Sequence, residues 1–316
     1  MFLRKFLWAY VVLIRKEFLP GVIAGVLVGM LFGAGSLLDL ATYRVIEGVV
    51  VFFLLFNAGF LVNCWSDWRI DKVTKARLYR AVRAIGTRGL GWLVVAHVAA
   101  ALLLTVHMWL STGINEILYL VLVGTFIGIG YSVEPIRLKK RGVLHSLMAV
   151  AVFTIPGIFS YYFVSTISLA DFKSVLFLLL MAGISASHYG LVLFSQSEDS
   201  PGEKAYNVRT PPVAWGLKKT MQVSLWLNVI GTVMIVLAFL LAFAMEAQFL
   251  VPYVAAIVAG KYLSFRHIIG LNKFSRLHPG DREMWKEIKK VSATYPYWHA
   301  YSLVPIVVGG LLLAAF

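Results

Sequence analysis

The sequence predicts an all-α fold of the polytopic membrane class. Hydrophobic residues make up 60% of its 316 residues, the mean hydropathy is +0.81, and only 14% of the residues are charged. Soluble domains carry about 25% charged residues. Apolar runs of roughly 18 residues or more can cross a bilayer, so nine transmembrane helices around a central cavity are expected. Their ranges are 18–38, 42–64, 89–111, 115–133, 143–166, 173–195, 217–243, 247–265 and 298–316.

The first 16 residues are expected to form an interfacial helix that precedes the first span. They combine basic residues with a short apolar run, and no small-residue cleavage site follows. A removable signal peptide is therefore not expected. The whole chain, 1–316, is predicted to be one transmembrane domain.

The basic residues predict the orientation of the chain. The net charge is +14, and 27 of the 29 Lys and Arg fall in or beside the loops on one side of the predicted bundle, within 1–16, 68–88, 137–141, 204–219 and 261–290. The positive-inside rule then places the N-terminus and these loops in the cytoplasm and the C-terminus outside. One-sided loop charge explains the basic balance, so the expected partner is the lipid bilayer and not nucleic acid. We expect an integral protein of the cell (plasma) membrane with a cytoplasm-facing active site.

An acidic motif lies where the second predicted helix ends. Asn63, Asp67 and Asp71 are four residues apart, so on a helix they form one stripe of oxygen ligands. The loop that follows, 68–88, is basic and has a helical apolar pattern, which predicts a short amphipathic cap over the site.

A second acidic motif lies where the sixth predicted helix ends. Asp199 and Glu203 repeat the four-residue spacing on the same side of the membrane, and the predicted cytoplasmic loop there is 196–216. Carboxylates from both motifs are expected to hold one metal ion, since oxygen ligands suit Mg²⁺.

A basic loop, 132–142, follows the fourth predicted helix. It gathers four basic residues within five positions after a proline, in the run Tyr131-Ser-Val-Glu134-Pro135-Ile-Arg137-Leu-Lys139-Lys140-Arg141-Gly142. On the side that carries both acidic motifs, such a loop is suited to contact a polyanion. Arg15, at the mouth of the first span, could meet either the same anion or a lipid headgroup.

These features together suit an isoprenyl diphosphate. Magnesium shares its shell with substrate phosphates, while Lys and Arg neutralise the leaving diphosphate. The apolar, aromatic-rich bundle would hold the tail, and aromatic faces would stabilise an allylic cation.

The three motifs also resemble the signatures of the UbiA superfamily of intramembrane prenyltransferases, over nearly the whole chain. The resemblance implies nine transmembrane helices and Mg²⁺-dependent transfer of an isoprenyl group to a lipophilic or aromatic acceptor. It implies catalytic roles for Asp67, Asp71 and Asp199, and metal binding by Asn63, Asp67, Asp71, Asp199 and Glu203. The diphosphate contacts that it implies are Arg15, Asn63, Lys75, Arg77, Tyr131, Lys139, Arg141, Lys204 and Arg209.

The sequence departs from that superfamily at three places. The second motif begins with Ser195-Gln196 where many members have Asn or Asp, and its last acid is Glu203, which is one carbon longer than Asp. Leu78-Tyr-Arg80-Ala stands where many members have an Arg-Pro pair.

Other functions remain open at this point. The same site could cyclise a prenyl diphosphate without an acceptor. A hypothesis from a different functional class is a non-enzymatic membrane transporter or lipid-binding protein. The acidic residues of a transporter would be expected near the membrane midplane and not at helix ends. A CDP-alcohol phosphotransferase is disfavoured because the Asp-Gly-x2-Ala-Arg pattern is missing.

Overall fold

The computed structural model is predominantly helical in the part of the chain that it describes. It describes residues 2–141, 144–145, 147, 152, 154–164, 172–242, 247–277, 280–292 and 294–315. Within these ranges there is no β-strand, and three short 3-10 helices join the longer elements. The α-helices are α1 Phe2–Leu13, α2 Leu19–Gly33, α3 Tyr43–Thr74, α4 Ala76–Ile85, α5 Thr87–Thr112, α6 Asn115–Ser132, α7 Ile155–Tyr162, α8 Phe172–Ala205, α9 Pro211–Trp215, α10 Leu217–Ala242, α11 Ala247–Leu277, α12 Asp281–Ser292, α13 Tyr295–Tyr301 and α14 Val304–Ala315.

Among the residues that the structure describes, six helices are long and apolar enough to cross a membrane. They are Tyr43–Lys72, Thr87–Thr112, Asn115–Ser132, Ser174–Ala205, Leu217–Ala242 and Tyr253–Leu277, and two shorter apolar helices cover Leu19–Gly33 and Tyr297–Leu312. The all-α membrane class is thus confirmed, and the chain is an integral membrane protein. Nine of the 24 residues of the predicted span 143–166 lie outside the described residues. The count of nine helices stays a prediction, as does the cytoplasmic N-terminus.

Glycines allow two pairs of helices to approach closely. A Cβ on Gly29 of α2 would lie 2.1 Å from the carbonyl oxygen of Gly157 in α7. Gly183 of α8 and Gly231 of α10 face each other, and a Cβ on either would meet the other's carbonyl oxygen at 2.8 Å or less. Without side chains at these positions the backbones can touch, as is common between membrane helices. The contacts fix α7 and α8, which both line the central cavity.

Helix α4 has the predicted apolar face. Leu78, Ala81 and Val82 are buried and belong to the same apolar cluster as Ala9 and Leu13 of α1. The N-terminal helix therefore packs against α4, the short helix that follows the first acidic motif, and the role of α4 as a cap over the site stays a prediction. The placement of α1 at a membrane interface remains a prediction.

Helices α3 and α8 extend beyond the spans predicted from apolarity. Helix α3 continues to Thr74, and α8 continues to Ala205 through Pro201. The predicted loop 68–88 is therefore helical except at Lys75 and Gly86, and the predicted loop 196–216 is helical over 196–205 and 211–215. Pro201 has no N–H to donate to the carbonyl of Ser197. The Ser200 hydroxyl donates to that carbonyl at 2.9 Å instead, which satisfies the group that the proline leaves open. Each acidic motif therefore lies on a continuous helix.

Candidate functional site

A cavity of about 230 Å³ runs between the helices of the bundle. Its wall comes from α2, α3, α5, α6, α7 and α8, from the segment before α2 and from the loop after α6. Along α3 the lining residues extend from Phe52 to Asp67, which is about 22 Å at the helical rise per residue. One end of the cavity is charged and the other is apolar.

The charged end collects most of the site residues predicted from the sequence. Eight of the thirteen line this cavity: Arg15, Asn63, Asp67, Lys75, Tyr131, Lys139, Asp199 and Glu203. They come from all three sequence motifs and from the segment before α2. The fold therefore brings together groups that are separated by up to 188 positions in the chain.

Asp67 is a carboxylate of the charged end that pairs with two cations. It is buried, and its Oδ2 accepts a hydrogen bond from Lys139 Nζ at 2.5 Å. Its Oδ1 accepts one from Arg137 Nη2 at 3.1 Å. Two cations thus hold one buried negative charge, and such a charge would be costly to leave unpaired.

Lys139 also connects the first acidic motif to the second. Its Nζ lies 3.6 Å from Glu203 Oε1 as well as on Asp67. The other oxygen of Glu203 accepts a hydrogen bond from the Thr210 hydroxyl, and Gln196 Nε2 donates to Oε1 at 3.4 Å. Lys139 thus holds the carboxylates of Asp67 and Glu203 together. A ligand that brings its own charges can take the place of either contact.

Asp199 is paired with Lys75, whose Nζ donates to Oδ2 at 2.6 Å. Burial has the largest single effect and lowers the pKa of Lys75, but the carboxylates of Asp199 and Asp71 together outweigh burial, and the pKa lies above its ordinary value. The pKa of Lys139 is likewise raised, because Asp67 and Glu203 outweigh the effect of its burial. Both amines therefore stay charged at neutral pH and can bind an anion.

The amide and phenol that line this end have hydrogen-bond partners in the bundle. Asn63 Oδ1 accepts from the Ser132 hydroxyl at 3.2 Å. The Tyr131 hydroxyl is 3.0 Å from His145 Nε2, and His145 Nδ1 is 3.3 Å from the Tyr189 hydroxyl. These contacts fix the orientation of the side chains between α3, α6 and α8.

The other end of the cavity is lined by apolar and aromatic side chains. On α3, Phe56 and Phe60 have ring centroids 4.8 Å apart, and Phe60 stacks on Phe18 at 5.8 Å. Phe52 and Phe159 continue this wall. An extended hydrocarbon chain would contact aromatic faces along this end of the cavity.

Five predicted site residues do not line the cavity. They are Asp71, Arg77, Arg141, Lys204 and Arg209. Asp71 is buried on α3, one turn beyond Asp67, whereas the four cations are exposed. The Arg141 guanidinium donates to the carbonyl oxygens of Pro135 and Ile136 in its own loop. Gly142, the last residue quoted for this motif, lies outside the described residues.

The structure adds residues that the sequence motifs did not single out as ligands. Arg137 contacts Asp67, and Gln196 contacts Glu203. Deeper in the bundle, His188 lines the cavity, and its Nδ1 is 3.0 Å from Nε2 of His299. Lys261 is fully buried nearby and donates to the Ser187 hydroxyl at 3.1 Å. The sequence does point to this polar cluster, because Lys261 falls inside the predicted span 247–265 and charged residues inside a membrane span are rare.

The carboxylates of the charged end can serve a hard metal ion. Over the described ranges no three His, Cys, Asp or Glu side chains form a preassembled metal cluster. Asp67, Asp199 and Glu203 nevertheless line the same cavity, and the cations paired with them are Lys75, Lys139 and Arg137. This donor set of carboxylates is suited to Mg²⁺ shared with phosphate oxygens.

Comparisons with known proteins identify the family. The model of the UbiA prenyltransferase family matches residues 22–278. A search of curated proteins found no match. Among solved structures, a UbiA homologue from Archaeoglobus fulgidus bound to DMAPP and Mg²⁺ is 18% identical, with a TM-score of 0.62 over 95% of this chain and 99% of that chain.

Two further solved structures share the fold. A UbiA homologue from Aeropyrum pernix K1 without ligand is 17% identical, with a TM-score of 0.63 over 94% of this chain and 97% of that one. A structure from a study of digeranylgeranylglyceryl phosphate synthase in membranes is 17% identical, with a TM-score of 0.61 over 97% and 99% of the two chains. At these identities the likeness establishes the fold alone.

Proposed function

Since this chain belongs to the UbiA prenyltransferase family, we propose that it transfers an isoprenyl group from a polyprenyl diphosphate to a lipophilic or aromatic acceptor within the membrane. One observation carries the proposal: a single cavity has paired acids and lysines at one end and phenylalanines at the other. A prenyl diphosphate has the same division between a charged head and an apolar tail.

The metal ligands of this proposal are the carboxylates that line the cavity. Asp67 and Asp199 would bind Mg²⁺, with Asn63 and Glu203 completing the set from the same two helices. Asp71 is one turn further along α3 and would join if its side chain turned toward the cavity. Magnesium bound there would neutralise charge on the diphosphate, as the homologue structures bound to DMAPP or GPP with Mg²⁺ suggest.

The cations of the charged end would bind the diphosphate itself. When the carboxylates turn to a metal ion, Lys75 and Lys139 lose their present partners and can donate to phosphate oxygens. Arg15 lines the same end. Stabilising the departing diphosphate lowers the barrier to breaking the allylic C–O bond. The acceptor nucleophile would then form a bond to that carbon and release a proton.

The apolar end would hold the isoprenyl tail and protect the cation. Phe52, Phe56, Phe60 and Phe159 form its aromatic wall. Their faces can stabilise positive charge on the allylic carbon and its chain, and their bulk excludes water that would otherwise give a prenyl alcohol.

We also propose that the charged end faces the cytoplasm, in the plasma membrane. The loops after α3 and α6 and the end of α8 meet at this end, joined by Lys75–Asp199 and Lys139–Asp67. These loops carry much of the chain's positive charge, which favours the cytoplasmic side.

Release of inorganic diphosphate by purified protein tests this function. The protein is given Mg²⁺ and a panel of prenyl diphosphates, with and without a membrane-lipid extract. We expect release that requires both the extract and Mg²⁺ and that stops in EDTA. The prenylated product then identifies the acceptor.

The same experiment distinguishes the other functions. Release without extract that yields a cyclic hydrocarbon would make the protein a cyclase using the same cavity. No release from folded protein with any prenyl diphosphate would contradict the proposal and favour transport or lipid binding.

A further inference from the structure

A second cavity lies beside the charged end, separated from it by Arg137. We call it the loop-side cleft. It has a volume of about 310 Å³ and is formed by the end of α3, the loop after α6 and the segment after α8. Its lining residues are Ser66, Trp68, Arg69, Ile70, Arg137, Lys140, Tyr206 and Val208.

The loop-side cleft is strongly basic. It is lined by Arg69, Arg137 and Lys140, and none of its described lining residues is acidic. Arg137 and Lys140 share one carboxylate, Glu134, whose side chain is 58% exposed. Arg69 lies over the Trp68 ring at 5.4 Å and has no ion-pair partner among the described residues. The positive charge of the cleft is therefore only partly balanced.

Arg137 lies between the cleft and the main cavity, and one of its N–H groups has no hydrogen-bond partner. Its Nη2 donates to Asp67 and its Nη1 to Glu134, but its buried Nε has no hydrogen-bond partner. A buried guanidinium N–H without a partner is costly, and a ligand oxygen would remove that cost.

The backbone at one side of the cleft is strained. Arg137 has φ +33°. Non-glycine residues other than Asn and Asp rarely adopt positive φ angles. Strained residues of this kind cluster at ligand-binding sites, where the surrounding structure holds them in place. The strain is a second observation, independent of charge, that marks the cleft as a binding site.

We propose that the loop-side cleft binds a phosphate group. Guanidinium groups from two sides and an ammonium group match the charge and the acceptor oxygens of phosphate. The phosphate could come from inorganic diphosphate that leaves the main cavity past Arg137, or from the headgroup of a membrane lipid. The proposal that phosphate binds in the cleft can be tested apart from the proposed prenyl transfer, because this binding requires no turnover.

Calorimetric binding of inorganic diphosphate in EDTA tests the first source. The variants are Arg69→Gln and Lys140→Gln, which lie in the cleft but outside the main cavity, and the matched control is Arg83→Gln, an exposed arginine on α4. We expect each cleft variant to bind diphosphate about tenfold more weakly than wild type, the size of one lost charged hydrogen bond, and the control to be unchanged. Equal melting temperatures without ligand show that the variants are folded.

Thermal stabilisation by dioctanoyl phosphatidate tests the second source, with dioctanoyl glycerol as the lipid that lacks the phosphate. The lipid source predicts that phosphatidate raises the melting temperature of wild type and Arg83→Gln more than that of the two cleft variants. A response to diphosphate alone assigns the cleft to the free anion, and a response to phosphatidate alone assigns it to lipid. If neither ligand distinguishes the cleft variants from the control, the proposal is overturned. Failure of prenyl transfer would leave these binding results unaffected.

Discussion

The two ends of the main cavity are built from different kinds of interaction. The charged end depends on a few specific ion pairs. Asp67 and Glu203 pair with Lys139, and Asp199 pairs with Lys75. At the apolar end many side chains share the wall, and each is in contact with others of the same chemistry, such as Phe56 with Phe60.

This difference predicts how the two ends respond to mutation. A buried charge that loses its partner is expensive, and its geometry cannot be replaced by a neighbour. Apolar surfaces of similar volume can replace one another at lower cost. Changes at the charged end should therefore remove activity, whereas changes at the apolar end should alter which substrate is used.

The largest effect is expected for Asp67→Asn and Asp199→Asn. The amide has nearly the same shape but no negative charge, so the proposed metal ion loses a ligand. We expect diphosphate release to fall at least about a hundredfold, comparable to the loss of a strong electrostatic contact in a transition state. The matched control is Asp281→Asn in the exposed first turn of α12, which should retain wild-type activity. Full turnover by both Asp67→Asn and Asp199→Asn would show that the charged end is not more sensitive to mutation than the apolar end.

Lys139→Gln should have the next largest effect. The variant removes the ammonium group shared by Asp67 and Glu203, so both carboxylates lose a cation and the diphosphate loses a donor. We expect activity to fall about tenfold to a hundredfold, with a lower melting temperature as well. Added Mg²⁺ should recover part of the lost stability, because the ion can replace the missing positive charge. A variant with unchanged activity and stability would show that Lys139 does not hold the charged end together.

Gly128→Leu tests the apolar end. Gly128 lines the cavity, and a Cβ there would have no neighbour within 4 Å, so the leucine side chain would fill open space. We expect activity with short prenyl diphosphates to persist while the longest accepted chain becomes shorter. Gly91→Leu, at an equally open position of α5 outside the cavity, is the control. Equal loss with all chain lengths would show that this position does not contact the tail.

The smallest effect is expected for Arg77→Gln and Lys204→Gln. Both side chains are exposed and outside the cavity, although the sequence motifs suggest diphosphate contacts for them. We expect less than about a twofold change in diphosphate release, since surface charges away from special features contribute little. A tenfold loss in either variant would mean that these cations turn inward when substrate binds.

Much of the charged end could be predicted from sequence because helical spacing is simple. Asn63 and Asp67 are one helical turn apart, as are Asp199 and Glu203, and each pair lies on one continuous helix. The contact between Arg137 and Asp67 could not be predicted in this way. It depends on a positive φ at Arg137 and on the 3-10 helix Leu138–Lys140, and neither follows from a periodic pattern.

The exposed position of Lys204 follows from the length of α8. A helix that ends at 195 leaves the direction of Lys204 undefined, whereas α8 runs to Ala205. Neighbouring residues on a helix point about 100° apart, so a buried Glu203 turns Lys204 outward. The apolar end could be predicted only as aromatic-rich, because which phenylalanines line a cavity depends on the packing of several helices.

Photo-labelling tests the central claim, that one cavity holds the diphosphate at its charged end and the tail at its apolar end. The probe is a prenyl diphosphate with a diazirine at the end of its tail, bound with Mg²⁺ and mapped by mass spectrometry. The account predicts labels on α3 near Phe52–Phe56, on α6 near Leu120–Gly124 or on α7, and loss of labelling in Asp67→Asn. Labels on the loop after α6 or on α10 and α11, unaffected by that substitution, would contradict it.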